Sequence, residues 1–336
     1  MKQVSHIFKS RLRLLVIAAG TLLVVMAWMA WRCRPLTARQ IVAATVVTER
    51  LSWYELCANG KPVLFFNAEG NDTLLNQLSP TPASAVHKAT ATGHWSDRHW
   101  FVPSCRGRLF TAFPTGDTVT MPHVERRLSA EKTKLKRLMR GLRMQDAELN
   151  YFLRVHGVQD EGYAMVADYE QKIKLRLQRM GRILTVIDSV EKAKCRLSLR
   201  HRVRYNVYFR QPDGTTAKLP CTEVGVSADN GMCLLQTTNH RMPATAYALR
   251  WLPWASPHEG KVLVSAIAGV QQSLFTQKAV QPVLLPATKK GNECMLSAVL
   301  ASGGSPVFSP RGWFIGSLLN GRVVNRSDLS DLYNKE

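Results

Sequence analysis

The chain has 336 residues, 46% of them hydrophobic, enough for a sizeable core; this excludes a disordered tail, a collagen-like repeat or a disulfide-only mini-scaffold. Its 45 Lys+Arg against 24 Asp+Glu leave +21, a balance that favours an anionic partner. Seven cysteines without a CxxC pair exclude a zinc ribbon or a thioredoxin-type site. The nine histidines lack metal-ligand spacing, and there is no phosphate loop or Rossmann fingerprint, so neither a metal nor a cofactor is expected.

In chain order, a basic head (1–13) precedes Leu14–Trp31, a run without a charge. At 1.5 Å per residue the run spans roughly 27 Å, about one hydrocarbon core, with Trp28 and Trp31 at its C-terminal edge. Lys2, Lys9, Arg11 and Arg13 also suit the n-region of a signal peptide. The run is long for that role and ends in Trp and Arg rather than A-x-A. The expectation is an uncleaved single-pass anchor in the cell membrane. A short head before a long domain favours export of the C-terminal domain, although Arg32, Arg34 and Arg39 nearly balance the basic head.

Residues 32–52 read as a linker. From Trp53 to Val124 short strands are expected at Val63–Phe66, Trp100–Val102 and Arg108–Phe113, with a Ser/Thr/Pro/Ala-rich loop over Leu75–Ala91. The texture then changes. Leu135, Leu138, Leu142, Leu149 and Phe152 share a heptad-like, coiled-coil face. His156-Gly157 and Asp160-Glu161-Gly162 form a break, after which Ile173, Leu177, Met180, Leu184 and Ile187 repeat the spacing. This predicts an antiparallel helical hairpin. Val124–Arg204 carries +10, about half the net charge, so the hairpin is also the candidate interaction surface. Its candidate residues are Lys132, Lys136, Arg140, Arg143, Lys172, Arg176 and Arg179. They would meet anionic lipid headgroups or an acidic protein, although a merely solvated face is the bland alternative. Strands return at Arg202–Arg210 and Thr215–Val226 around Pro212-Asp213-Gly214, and short strands continue to Val324.

Three segments resemble the catalytic blocks of trypsin-like serine proteases, nearest the HtrA-like branch. Ala301-Ser302-Gly303-Gly304-Ser305-Pro306-Val307-Phe308, followed by Gly312-Trp313-Phe314-Ile315-Gly316, is similar to G-x-S-G-[GS]-P-[VL]-[FVL] and G-x-[VI]-[IV]-G. Val224–Gln236 resembles V-G-x-D-x-x-x-D-[IL]-A-[LV]-[LIV], and Ala91–Trp95 with Phe101–Arg106 resembles G-[ST]-G-F-x-[IV] and [IV]-[LV]-T-[NA]-x-H. The resemblance implies a mainly β, two-barrel trypsin-like fold with the hairpin inserted. The first barrel would take 53–124 and 201–245, the insertion 125–200, the second barrel 246–326 and a tail 327–336.

It also implies that the triad is missing. The base, orienting acid and nucleophile positions fall on Arg106, Gly231 and Gly303. A guanidinium offers no lone pair to take a proton, and glycine can neither orient an imidazole nor attack a carbonyl. The expected function is a membrane-anchored pseudoprotease working as a binding or scaffolding module. One alternative is an active endopeptidase using Ser302. Another is a nucleic-acid-binding protein, the less favoured because it needs a cytoplasmic domain. Cys105 with His99 or His94 is a conceivable further pair, but cysteine is more often a core residue. If exported, Cys57, Cys105, Cys195, Cys221, Cys233 and Cys294 would be able to form disulfides.

Overall fold

The computed structural model describes residues 18–30, 34–67, 76–97, 106–113, 121–192, 196–211, 213–227, 231–251, 259–267, 281–297 and 299–333. A helix, α1, covers 18–30. Among the described residues no helix is long and apolar enough to cross a membrane; residues 14–17 and 31 of the expected anchor lie outside them.

The segment expected to be a linker is core. Helix α2 (Ala38–Ala44) begins with a capping box: Gln40 N–H donates to Thr37 Oγ1, and Thr37 N–H donates to Gln40 Oε1 at 3.0 Å. Ile41 and Ala44 are buried, and strand β1 (Thr45–Ala58) follows at once with Val46 and Val47 in the interior. The strands continue with β2 (Lys61–Asn67), β3 (Asn76–Ser79), β4 (His87–Asp97) and β5 (Arg108–Ala112). Strands β3 and β4 occupy much of the expected loop, because His87-Lys-Ala-Thr-Ala-Thr is a run of small and β-branched residues that neighbouring strands can hold. The expected strand at Trp100–Val102 lies outside the described residues.

Helices α3 (Met121–Val155) and α4 (Tyr163–Lys192) come next, then β6 (Leu197–Arg210), β7 (Thr216–Val226), β8 (Met232–Thr237) and β9 (Leu249–Arg250). After these run β10 (Gly260–Ala266), β11 (Val283–Lys290), β12 (Glu293–Met295), β13 (Pro306–Phe308), β14 (Phe314–Leu319), β15 (Arg322–Asn325) and α5 (Arg326–Tyr333). Six strands close a first ring in the order β1-β6-β7-β8-β5-β4 and back to β1, with β2 and β3 extending from β1 and β9 from β4. A second closed barrel runs β10-β11-β12-β15-β14-β13. The fold is therefore mainly β, with two six-strand barrels.

The chain divides into two compact units: 1–49, 90–114 and 205–336 in one, 50–89 and 115–204 in the other. Both barrels have their cores in the first. Phe110, Leu234, Leu249, Trp251, Phe308 and Phe314 pack there with Leu329, Leu332 and Tyr333 of α5. The expected tail is thus a core helix, and its Tyr333 hydroxyl donates to Ser96 O at 3.1 Å. In the second unit, Leu56, Leu64 and Phe66 of the sheet pack on Val124 and Leu128 of α3 and Ile183 and Ile187 of α4.

The hairpin seam keeps the expected spacing in α4, where Ile173, Met180 and Ile187 are buried and Leu177 and Leu184 half-buried, with Ile183 joining them. In α3 the expected Leu135, Leu142, Leu149 and Phe152 are half-buried, but Leu138 is 42% exposed and its neighbour Met139 takes the buried place. Glu131 is buried on this seam too.

Candidate functional site

The loop 301–305, which resembles the nucleophile block, is built against β4 and β5. These two strands pair antiparallel through Gly93↔Thr111, His94↔Phe110 and Trp95↔Leu109. The Ser302 hydroxyl meets the Thr92 hydroxyl at 2.7 Å and accepts from Thr92 N–H at 3.0 Å. The alternative nucleophile is therefore bonded to a threonine, a group that cannot serve as a base near neutral pH. Gly304 sits at φ +87°, and a Cβ there would fall 2.1 Å from Thr92 O, so only glycine fits. A Cβ on Gly303 would lie 3.2 Å from both Cβ and O of Ala112. The loop is then tied to β14 by Gly304 N–H to Leu318 O and Leu318 N–H to Ser305 O, both 2.8 Å.

His94 lies beside this loop in β4 and is fully buried. Its Nδ1 is 3.1 Å from Gly304 O and its Nε2 3.5 Å from Ser317 Oγ. Its ring lies 5.8 Å from that of Phe110 and 5.2 Å from that of Phe314, centroid to centroid. Burial pushes its pKa down to about 4, against the smaller opposing effect of the Gly304 carbonyl. A neutral imidazole that donates from Nδ1 to Gly304 O fits this setting. The sequence placed His94 correctly in the strand before the expected base; its bond to the glycine loop left no mark in the spacing.

The three expected triad positions do not come together. Strands β5 and β8 pair antiparallel from Arg108↔Gln236 to Ala112↔Met232. Arg106 leads into β5 beside Gln236, whose Nε2 donates to the Arg106 carbonyl at 3.0 Å. Gly231 leads into β8 at the opposite end of the ladder, next to Ala112. Four residue steps separate those ends, about 14 Å. Arg106 is exposed, and a residue there is too far to share a proton with one at Gly231. Gly303, by contrast, contacts Ala112 at the Gly231 end. Gly231 itself has φ +68°, a left-handed backbone that disfavours most side chains. Asp229, His99 and Cys105 lie outside the described residues.

Cys57, Cys221, Cys233 and Cys294 are buried thiols, and no two of these four form a disulfide, the pairing that export would allow. Burial pushes the Cys221 thiol up to about 12, which makes it a poor nucleophile. Among the described residues no group of three or more His, Cys, Asp or Glu side chains is placed to hold a metal ion.

The interaction residues divide sharply. Lys132 reaches across the hairpin to Asp188 at 2.6 Å and Glu191 at 2.5 Å, and Lys172 pairs with Asp168 at 2.6 Å. Those bonds raise the Lys132 pKa and lower that of Asp188. Lys132 is thus a clamp between helices rather than a free cation. Lys136, Arg140, Arg143, Arg176 and Arg179 are exposed. The charge is also uneven: 125–142 carries +5 and 177–204 carries +6, whereas 143–176, around the turn, carries −1.

No protein-family model matches the sequence, and no curated protein matches it. Similar solved structures are HtrA-type trypsin-like proteases. Deg5 is 9% identical with a TM-score of 0.32, covering 84% of this chain and 85% of that one. The MamO protease domain from Magnetospirillum magneticum, in its apo form, is 12% identical with a TM-score of 0.27, covering 38% of this chain and 74% of that one.

Proposed function

We propose that this chain is a trypsin-like pseudoprotease, anchored in the membrane by Leu14–Trp31, whose exported domain binds or scaffolds rather than cleaves. The observation that carries the reading is the chemistry at one end of the β5–β8 ladder. There Gly231 and Gly303 stand at the acid and nucleophile positions. In sequence, Leu109-Phe110-Thr111-Ala112-Phe113-Pro114 carries the Thr and Ala of [IV]-[LV]-T-[NA]-x-H that Phe101–Arg106 lacks, so the base position falls on Pro114 or on the expected Arg106. None of these side chains can accept a proton, orient an imidazole or attack a carbonyl. Ser302, the other candidate nucleophile, has its hydroxyl on Thr92.

The binding surface in this reading is the half of the hairpin away from its turn, where Lys136, Arg140 and Arg179 are exposed and the local charge is strongly positive. An anchor ending at Trp31 would tether the chain to the bilayer, whose anionic headgroups attract such charges over a Debye length of roughly 8 Å at physiological salt. Two measurements test the proposal. A fluorophosphonate probe leaves the purified protein unlabelled; labelling lost on Ser302→Ala would establish an active serine hydrolase instead. K136E/R140E/R179E, folded by circular dichroism, loses salt-sensitive sedimentation with phosphatidylserine vesicles. Unchanged sedimentation would return the hairpin to a structural role.

A further inference from the structure

A cavity of about 430 Å³ opens beside α2 in the first unit, within the roughly 300–1,000 Å³ typical of small-molecule sites. Helix α2 forms one wall because its residues divide between two faces. Ile41 and Ala44 are buried in the core with Phe110 and Leu234. Ala38 and Val42, and likewise Arg39 and Ala43, stand four residues apart and line the cavity from the other face. Val46 of β1, Phe209 of β6 and Ala246 extend the apolar lining, and its three alanines leave the space open.

The hydroxyls of the wall are spent within the protein. Thr45 Oγ1 donates to Ile41 O at 3.0 Å and meets Ser265 Oγ at 2.7 Å, and Thr245 Oγ1 donates to the Arg210 carbonyl at 2.8 Å. The rim is cationic. Arg39 and Arg210 are both exposed there, and neither makes an ion pair among the described residues. None of the described residues lining the cavity is acidic. Asp213, in the turn after Arg210, accepts from Thr215 N–H at 2.9 Å and Thr215 Oγ1 at 2.7 Å. The groups left for a ligand are two guanidinium ions and the amides of Gln211 and Gln281.

We infer that this cavity binds a fatty acid, its acyl chain along the alanine and valine wall and its carboxylate on the arginines of the rim. A sugar or nucleotide would bring many polar groups to a wall with few partners to offer, at a desolvation cost for each. A fatty acid needs one anion site and gains by covering its chain. A long-chain amine meets like charge at the rim. The cavity shares no residue with the hairpin and does not depend on the proposed function.

The test is photolabelling of the full chain, in phosphatidylcholine nanodiscs, with a diazirine-bearing decanoic acid, mapped on tryptic peptides by mass spectrometry. Label falls on Gln40–Arg50, which holds Val42, Ala43 and Val46, and on Met242–Arg250, which holds Ala246. Excess decanoate removes it, and equal decylamine or decanol does not. Ala38→Trp fills the cavity from an exposed helix position, and R39E/R210E reverses the rim; each lowers the labelling of Met242–Arg250 at least about fivefold, with the circular dichroism spectrum unchanged. If Ala38→Trp fails to fold, R39E/R210E alone decides. Label no stronger on these two peptides than elsewhere outside Leu14–Trp31 overturns the inference. So does labelling unchanged in R39E/R210E, or competition by decylamine or decanol equal to that by decanoate.

Discussion

Acid should loosen the first unit through His94, and the size of the effect follows from its environment. The unfolded imidazole takes a proton near pH 6.5, the folded one only near 4. Between those values the unfolded chain binds more protons, so stability falls as pH drops from about 6.5 towards 4 and His94 adds no further loss below that. Over pH 7 to 5 the linkage is worth about 2 kcal/mol, a substantial part of the roughly 5–15 kcal/mol typical of a domain. The comparison that isolates it is His94→Phe. A phenyl ring keeps the stacking with Phe110 and Phe314 but does not titrate; its loss of the Gly304 bond is a constant offset. Urea unfolding followed by tryptophan fluorescence at both pH values should give a wild-type minus variant difference that shrinks by about 2 kcal/mol on acidification. Paired carboxylates such as Asp188, whose pKa is lowered by Lys132, titrate alike in both proteins and cancel. A difference constant to within about 0.5 kcal/mol would mean that His94 is hydrated or already charged in the fold.

Two further outcomes test the packing. Ile183→Ala, at a buried seam position, should cost about 2–5 kcal/mol in urea unfolding, whereas Leu138→Ala, on the exposed side of α3, should cost under about 0.5; equal costs would refute the observed seam. Gly304→Ala should destabilise by about 3 kcal/mol or more, because its Cβ meets Thr92 O at a left-handed φ; near-neutral unfolding would mean that the loop is free to move.

What the sequence made legible was periodic. The helix pair announced itself by its apolar spacing and its break at Gly157–Gly162, and the β6–β7 hairpin by Pro212-Asp213-Gly214. What stayed hidden depends on partners distant in the chain. Thr37–Ser52 holds one short apolar run, Ile41–Val47, that shows neither a clear helical nor a clear strand period by itself, and its hydroxyls find their partners far away: Thr45 Oγ1 meets Ser265 Oγ at 2.7 Å and Thr48 Oγ1 meets Thr111 Oγ1 at 2.6 Å. Such buried hydroxyl pairs satisfy the polar groups of a core strand only once the fold is formed. Glu49 is a similar case: this buried carboxylate accepts from Asn206 Nδ2 and the Tyr208 hydroxyl, both at 2.9 Å, and lies 3.2 Å from Lys218 Nζ. Only the fold brings those residues together.

The catalytic-block resemblance turns on long-range pairing as well. Two apolar runs, Phe101-Val102 and Leu109-Phe110, compete for one motif, and only the β5–β8 register decides between them. Once Ala112↔Met232 is fixed, the residues after β5 and before β8 must face the same end of the ladder, with Gly303 packed on Ala112. At that end Gly231 turns through a left-handed conformation, and Gly303 leaves less than ordinary van der Waals space for a Cβ. Restoring an aspartate and a serine would therefore strain both sites before any chemistry could begin. The glycine loop packs against β4 and β5, so a side chain added at Gly303 must displace Ala112 and one added at Gly304 must displace the Thr92 carbonyl.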